Sequence, residues 1–430
     1  MSCGRAVICA IVGALAFGLG ARPAHAAAPT PIPRPTSGGA YAYTTPEATP
    51  YVTARAVVHY VTTGVDAPPL NDDNGNGIPD YIENVGAAAD QALQYYQAAG
   101  FNSPLPDTAG PDAKPDIYVD ALPPGAFGLT ITPAYAVGGT FVLISPRLDP
   151  AQPQAFGSLS MTVAHELAHV IQFSYVVKGT FPVWAGEGSA VALSMLAFPQ
   201  IQDTVEEDYL NGWLAQPWLS LYDERFSCAH CYGGAWWWSY LMGLHRNVLP
   251  RYFAQLQTSD EQRKATTVGV SQLDLALRQS GAGTLDSVFR KFSLNLYDRG
   301  LGLGTPYSIS ASTKPRATLV RNMLGLSAQY VPVHVPARSR GIVVAVPYGK
   351  GPQPVVTLVV GGPKGRRITG KRLRPGRGVI LSTVFRNAQE RKRVLVVLTS
   401  GHLYGVQYQL GYASVPPGGR LPTWIAFRSS

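Results

Sequence analysis

Met161-Thr-Val-Ala-His165-Glu166-Leu-Ala-His169-Val-Ile-Gln172-Phe173 is the stretch that decides how this chain is read. Val163, Ala164, Leu167, Ala168, Val170 and Ile171 are apolar, with no Gly or Pro among them, so the pattern predicts a buried helix. On a helix His165 and His169 lie one above the other on the same face. Two imidazoles so placed can share one Zn²⁺. Glu166 follows the first of them, within reach of the open metal position. Two histidines and a glutamate on a buried helix are costly unless they are paired or metal-bound.

A catalytic zinc takes three protein ligands and keeps one position open. The H-E-x-x-H-x-x-G-x-x-H arrangement is excluded, because Gln172 and Tyr175 stand where its Gly and third His belong. The next candidate downstream is Glu187, in Val183-Trp-Ala-Gly-Glu187-Gly188-Ser-Ala190. It opens an apolar run from Ala190 to Phe198 that reads as a second helix. Gly188 and Ala190 are small enough to let that helix pack close to the first. Glu206, Glu207 and Asp208 sit in a polar stretch and read as a solvated face.

An H-E-x-x-H helix followed by W-x-x-E-G-x-A resembles the gluzincin branch of zinc metallopeptidases. With Asp72 to Glu83 added, the order of motifs is similar to that of a group of exported bacterial metalloproteases. The resemblance covers roughly residues 52–300. It implies a zincin-like fold there, with His165, His169 and Glu187 as zinc ligands and Glu166 as catalytic base.

The chemistry expected is hydrolysis of a peptide bond in a protein or peptide substrate. Zinc polarises the carbonyl and acidifies water, and Glu166 carries the proton to the leaving amine. The oxyanion needs a second donor. Tyr232, opening Tyr232-Gly-Gly-Ala235-Trp-Trp-Trp-Ser-Tyr-Leu, is the candidate, with His230 and Tyr175 as rivals. It departs from the aminopeptidase Y-x-K-G-A pattern by one residue. Ala136 to Ile144 holds no acid to grip a free amine, and an exposed edge strand there suits an extended peptide. Both points favour an endopeptidase.

Asp72-Asp-Asn74-Gly-Asn76-Gly77-Ile78-Pro-Asp80-Tyr-Ile-Glu83 matches an EF-hand loop position by position. Asp72, Asn74, Asn76, the Ile78 carbonyl, Asp80 and Glu83 would hold Ca²⁺. Only three carboxylates face the ion, so weak, extracellular-type affinity and a structural role are expected. The alternative is an Asx-rich turn held by its own side chains.

Arg5, the uncharged run Ala6 to Ala21 and Ala24-His25-Ala26 read as a signal peptide over 1–26. The mature chain is expected to start near Ala27, to lack a membrane span and to be secreted, extracellular or periplasmic. Cys3 and Cys9 leave with the signal. Cys228 and Cys231, as C-x-x-C in an exported protein, read first as a disulfide clipping a loop. A redox motif or a second zinc site lacks the flanking context.

Residues 27–50 are rich in Pro, Thr and Ala and read as a linker or pro-segment. Residues 51–300 form the metallopeptidase domain. There, strands are expected at Arg55–Val61, Asp116–Val119 and Thr140–Ile144, with a helix from Asp80 to Ala99 ended by Gly100. Residues 305–430 hold short apolar runs at 341–346, 355–360, 379–385, 393–398 and 404–410, separated by turn residues, which suggests a β-sandwich. The class is therefore α+β.

Charge divides the same way. Residues 301–430 carry 19 Lys and Arg against one acid, Glu390, while the chain as a whole is only +9. Lys364, Arg366, Arg367, Lys371, Arg372, Arg374 and Arg377 concentrate that charge on turns. A solvated face is one reading, and attachment to an anionic surface or polymer is the other. With 46% hydrophobic and 14% charged residues, the composition excludes global disorder. The competing functional class is a non-catalytic, surface-binding or adhesive protein on a zincin scaffold, against which the intact Glu166 argues.

Overall fold

The computed structural model describes residues 33–107, 112–132, 139–148, 158–175, 181–201, 210–222, 228–258, 269–318, 320–347, 353–372, 378–402 and 405–421. The signal peptide expected over 1–26 lies outside them. The chain is mixed α and β and divides into two compact units. One comprises Met1–Asn211 and Glu224–Gln272, the other Gly212–Asp223 and Leu273–Ser430.

The first unit is built on a five-stranded sheet in the order β1-β2-β3-β5-β4. Its strands are β1 (Tyr51–Val52), β2 (Val57–His59), β3 (Asp116–Val119), β4 (Gly128–Ile131) and β5 (Phe141–Ile144). β2, β3 and β5 run parallel, and β1 and β4 are antiparallel to their neighbours. Helix α1 (Asp80–Ala98) is the crossover that a parallel β2–β3 pair requires. Asp80 and Glu83 sit in its first turn, favourably placed toward the helix dipole. Ile82, Val85, Ala89, Leu93 and Tyr96 are buried along one face, as their spacing predicts. Gly100, at φ +89, takes the left-handed turn after the helix end that a side chain would disfavour.

β5, expected to present an exposed edge, is an interior strand between β3 and β4. The edge is β4 instead. Helix α2 (Leu159–Tyr175) packs against β4, β5 and α1. Nearly all its residues are buried, so no polar face exists. Tyr96 of α1 donates to the carbonyl of Ala164 at 2.7 Å. Helix α3 (Val183–Ala197) packs along α2, and α4 (Cys228–Gly233), α5 (Ala235–Leu244) and α6 (Val248–Thr258) complete the helical layer.

Residues 33–50 are bonded to the body of the first unit. The Arg34 guanidinium is buried, bridging Asp107 at 2.7 Å and Asp116 at 2.6 Å. It lies 4.7 Å over the Phe141 ring. Tyr43 donates to the carbonyls of His59 and Val119. Glu47 pairs with Val61 as a β-bridge and contacts His59 Nδ1 at 2.5 Å. Burial alone would lower the His59 pKa, but its bonds to Asp116 and Glu47 hold it above the ordinary value. An almost uncharged stretch reads as a linker; its one Arg is what fastens it.

The second unit holds two further five-stranded sheets. One contains β6 (Ile309–Ser310), β9 (Ser327–His334), β11 (Val355–Val360), β12 (Arg366–Thr369) and β15 (Val394–Ser400), the other β7 (Arg316–Ala317), β10 (Gly341–Pro347), β13 (Lys371–Arg372), β14 (Gly378–Val384) and β17 (Gly411–Val415), while β8 (Arg321–Met323) pairs with β16 (Val406–Tyr408). Val331, Leu358 and Val396 from the first, and Val344, Leu381 and Tyr412 from the second, share one buried cluster. Alternate residues point the other way, as strand geometry demands. On that side helix α7 (Leu285–Asp298) packs against β15, and Tyr330 donates to the Ser293 carbonyl at 2.8 Å. The boundary expected between 300 and 305 thus falls earlier, because α7 belongs with this sheet. Two clustered arginines are also not free surface charges: Arg366 pairs with Glu390 and Arg367 with Asp298. No helix among the described residues is long and apolar enough to cross a membrane.

Candidate metal centre

His165 and His169 occupy successive turns of α2, and their Nε2 atoms lie 3.1 Å apart. Glu187, on the first turns of α3, places Oε2 at 3.3 Å from the His165 Nε2 and 3.7 Å from the His169 Nε2. Ligand atoms held 2.0–2.1 Å from a tetrahedral ion lie roughly 3.3 Å from one another, so the three separations suit one small ion. This is the one group of three such side chains within metal-binding reach among the described residues. All three are essentially buried, at 1%, 3% and 1% exposure.

Burial sets the protonation. It lowers the pKa of both imidazoles, leaving them neutral with lone pairs to give. It raises that of Glu187, against the opposing pull of His169 and a hydrogen bond from Tyr232. Buried neutral imidazoles converging with one carboxyl group could hold a metal ion.

Glu166 points from α2 toward β4. Its pKa is raised to about 7, chiefly by burial, with His165 and Thr130 acting in the opposite direction. The Thr130 hydroxyl lies 2.7 Å from Oε2 of Glu166 and 2.9 Å from its backbone carbonyl. On the same face of β4, Gly128 leaves room for it: a Cβ there would come within 2.6 Å of the Glu166 Cγ.

Tyr232, in α4, is 1% exposed, with its ring 6.1 Å from that of His165. It acts on the Glu187 carboxyl in the direction of a lower pKa, so the structure brings it to the centre. Tyr175, its rival, is turned elsewhere and accepts from the Asn102 amide at 2.8 Å. The His230 side chain lies outside the described residues. α4 is held close to α3 because Gly188 has no side chain: a Cβ would meet the Cys231 carbonyl at 3.0 Å and the Trp238 indole nitrogen at 2.9 Å. Trp184 and Trp238 stack beside it, 5.1 Å between ring centroids.

Three residues here were not foreseen. Gln172 entered the sequence reading only as a missing glycine, yet its Oε1 lies 2.9 Å from the His169 Nδ1. Thr130 and Gly128 lie on a strand that went unassigned. Its signal is only the four-residue alternation Gly-Leu-Thr-Ile, too short to stand out.

Cys231 is buried in α4. The Cys228 side chain lies outside the described residues. The expected Cys228–Cys231 disulfide therefore falls outside the described residues.

Asp72, Asn74, Asn76 and Ile78 lie on the loop before α1, and Asp80 and Glu83 in its first turn, with Gly75 and Gly77 in the left-handed region. The loop is exposed and bonded within itself. Asp72 accepts from the backbone of Asn76 and Gly77, and Glu83 accepts from the Asn74 and Asn76 side chains at 2.8 and 2.7 Å.

No protein-family model matches the chain, and no curated protein matches it.

Proposed function

We propose that the chain is a zinc-dependent peptidase, gluzincin-like in its first unit, that cleaves within polypeptides outside the cytoplasm. The observation that carries this is the spacing of His165, His169 and Glu187 around one point, with Glu166 one residue from the first of them. Neutral imidazole and carboxylate donors in a tetrahedral arrangement with an open position suit zinc. When bound, zinc supplies Lewis acidity toward a carbonyl oxygen and makes water more acidic.

The rest is work for the side chains. Glu166, near neutrality in its pKa, takes a proton from the attacking water at a carboxylate oxygen and hands it to the departing amine. Thr130 holds that carboxylate with a hydrogen bond from its hydroxyl. Tyr232 donates its O–H as negative charge develops on the former carbonyl. Among the described residues β4, beside Glu166, is the terminal strand of its sheet, a position that suits pairing with an extended chain and supports internal cleavage. For the second unit the reading is a basic β-sandwich that attaches the enzyme to an anionic surface or polymer. Ca²⁺ in the 72–83 loop would fix the entrance to α1.

The test is mass spectrometry of fragments from an unfolded protein substrate, using the chain loaded with one zinc and, in parallel, Glu166→Gln. Internal cuts by the wild type alone are expected. No cuts by a zinc-loaded wild type, or equal cuts by both, would overturn the reading.

A further inference from the structure

We propose that Gln172 is a positioning residue of the metal centre: its carboxamide fixes the tautomer of His169 and ties that ligand to the start of the helix carrying Glu187. The inference deepens the metal-centre reading and rests on it. Gln172 is 1% exposed and sits one turn after His169 on α2. Its three polar contacts all belong to the two ligand-bearing helices. Oε1 faces the His169 Nδ1 at 2.9 Å. Nε2 faces the Gly186 carbonyl at 2.8 Å and the Ser189 hydroxyl at 3.1 Å.

The orientation of the carboxamide follows from chemistry. A backbone carbonyl can only accept, so the Gln172 atom facing Gly186 must be the NH₂. The atom facing His169 is then the carbonyl oxygen, which can only accept. His169 must therefore carry its proton on Nδ1. In a neutral ring that leaves Nε2 bare, with its lone pair directed at the point shared with His165 and Glu187. Gly186, the residue before Glu187, thus sets the tautomer of His169 through one intervening side chain. The same two bonds hold the first turn of α3 against α2, so the spacing of His169 and Glu187 is fixed by Gln172 as well.

The amide also differs in kind from a carboxylate partner. It orients the ring without adding negative charge, and it leaves a donor end for α3 that a carboxylate lacks. Outer partners of this type typically change metal affinity about 10- to 100-fold when removed.

The test has two arms. In the metal-free wild type, ¹⁵N NMR of the histidine rings is expected to show His169 protonated on Nδ1 and bare on Nε2. In Gln172→Met, similar in length but without polar atoms, the ring is expected to lose that fixed tautomer. Zinc competition against a chromogenic chelator is expected to show affinity about 10- to 100-fold weaker than wild type. A wild-type His169 protonated on Nε2 would overturn the inference, and so would a Gln172→Met protein that binds zinc as tightly as the parent. If the wild type binds no metal, the metal-centre reading fails by itself, while the tautomer measurement still decides the role of Gln172. Should Gln172→Met not fold, the wild-type spectrum alone remains decisive.

Discussion

The hydroxyl of Thr130, on the edge strand β4, lies 2.7 Å from Oε2 of Glu166 on α2. Sheet and helix are thereby joined at the side chain assigned as the base. Thr130→Val keeps shape and burial but removes the hydrogen bond. The Glu166 carboxylate then loses its fixed direction, and kcat/KM is expected to fall roughly 10- to 100-fold. Zinc content should stay unchanged, because Thr130 touches no ligand. Steady-state kinetics with metal analysis on the same sample checks this; unchanged kinetics would remove Thr130 from the site.

Tyr232→Phe separates the oxyanion role from a packing role. The ring stays between α3 and α4, and only the O–H is lost. Loss of such a donor costs on the order of 10²–10³ in kcat. KM and thermal stability should change little. A variant with wild-type kcat would show that the hydroxyl serves Glu187 alone.

Arg34 neutralises two buried carboxylates, Asp107 and Asp116, whose side chains are 1% and 0% exposed. Arg34→Met removes the cation that bridges them. Breaking a buried ion pair by removing one partner costs about 3–5 kcal/mol. Denaturant unfolding should therefore show a large drop in midpoint, and proteolysis should release residues 33–50 first. A midpoint equal to that of the parent would mean that the segment is dispensable.

Asp120 is held above its ordinary value of 3.8, at about 7, by burial and then by the nearby charge of Asp66. Between those values the folded chain holds a proton that the unfolded chain has released. Stability from this group therefore falls as pH rises from about 4 to about 7, then levels off. Asp120→Asn, which needs no proton, should flatten the melting temperature across that window and raise it most at pH 7 and above. An unchanged slope would refute the assignment.

The 72–83 loop gives a separable prediction. If calcium binds near the millimolar affinity of extracellular loops, a tenfold excess stabilises by about 1.4 kcal/mol. Wild type should melt higher in calcium, and Asp72→Ala should not respond. Equal melting with and without calcium would leave the loop as a self-bonded Asx turn.

The sequence alone determined what local periodicity controls. His165 and His169 share a face because a helix repeats every 3.6 residues, and the unbroken apolar flanks left no other way to bury that segment. Glu187 followed from the need for a third donor and a short second helix. The strands at 341–347 and 355–360 followed from β-branched runs between turns.

Tertiary structure decided whatever depends on groups far apart in the chain. Residues 33–50 carry little charge and look free, until Arg34 meets Asp107 and Asp116, 73 and 82 residues farther along the chain. α7 reads as part of the helical run before it, yet its apolar face is buried on β15. Gln172 has no pattern of its own. Its role comes from a carbonyl 14 residues away whose inability to donate turns the amide, and with it the imidazole of His169. Spacing along the chain specifies which face a side chain occupies, but only the fold specifies which atom lies opposite it.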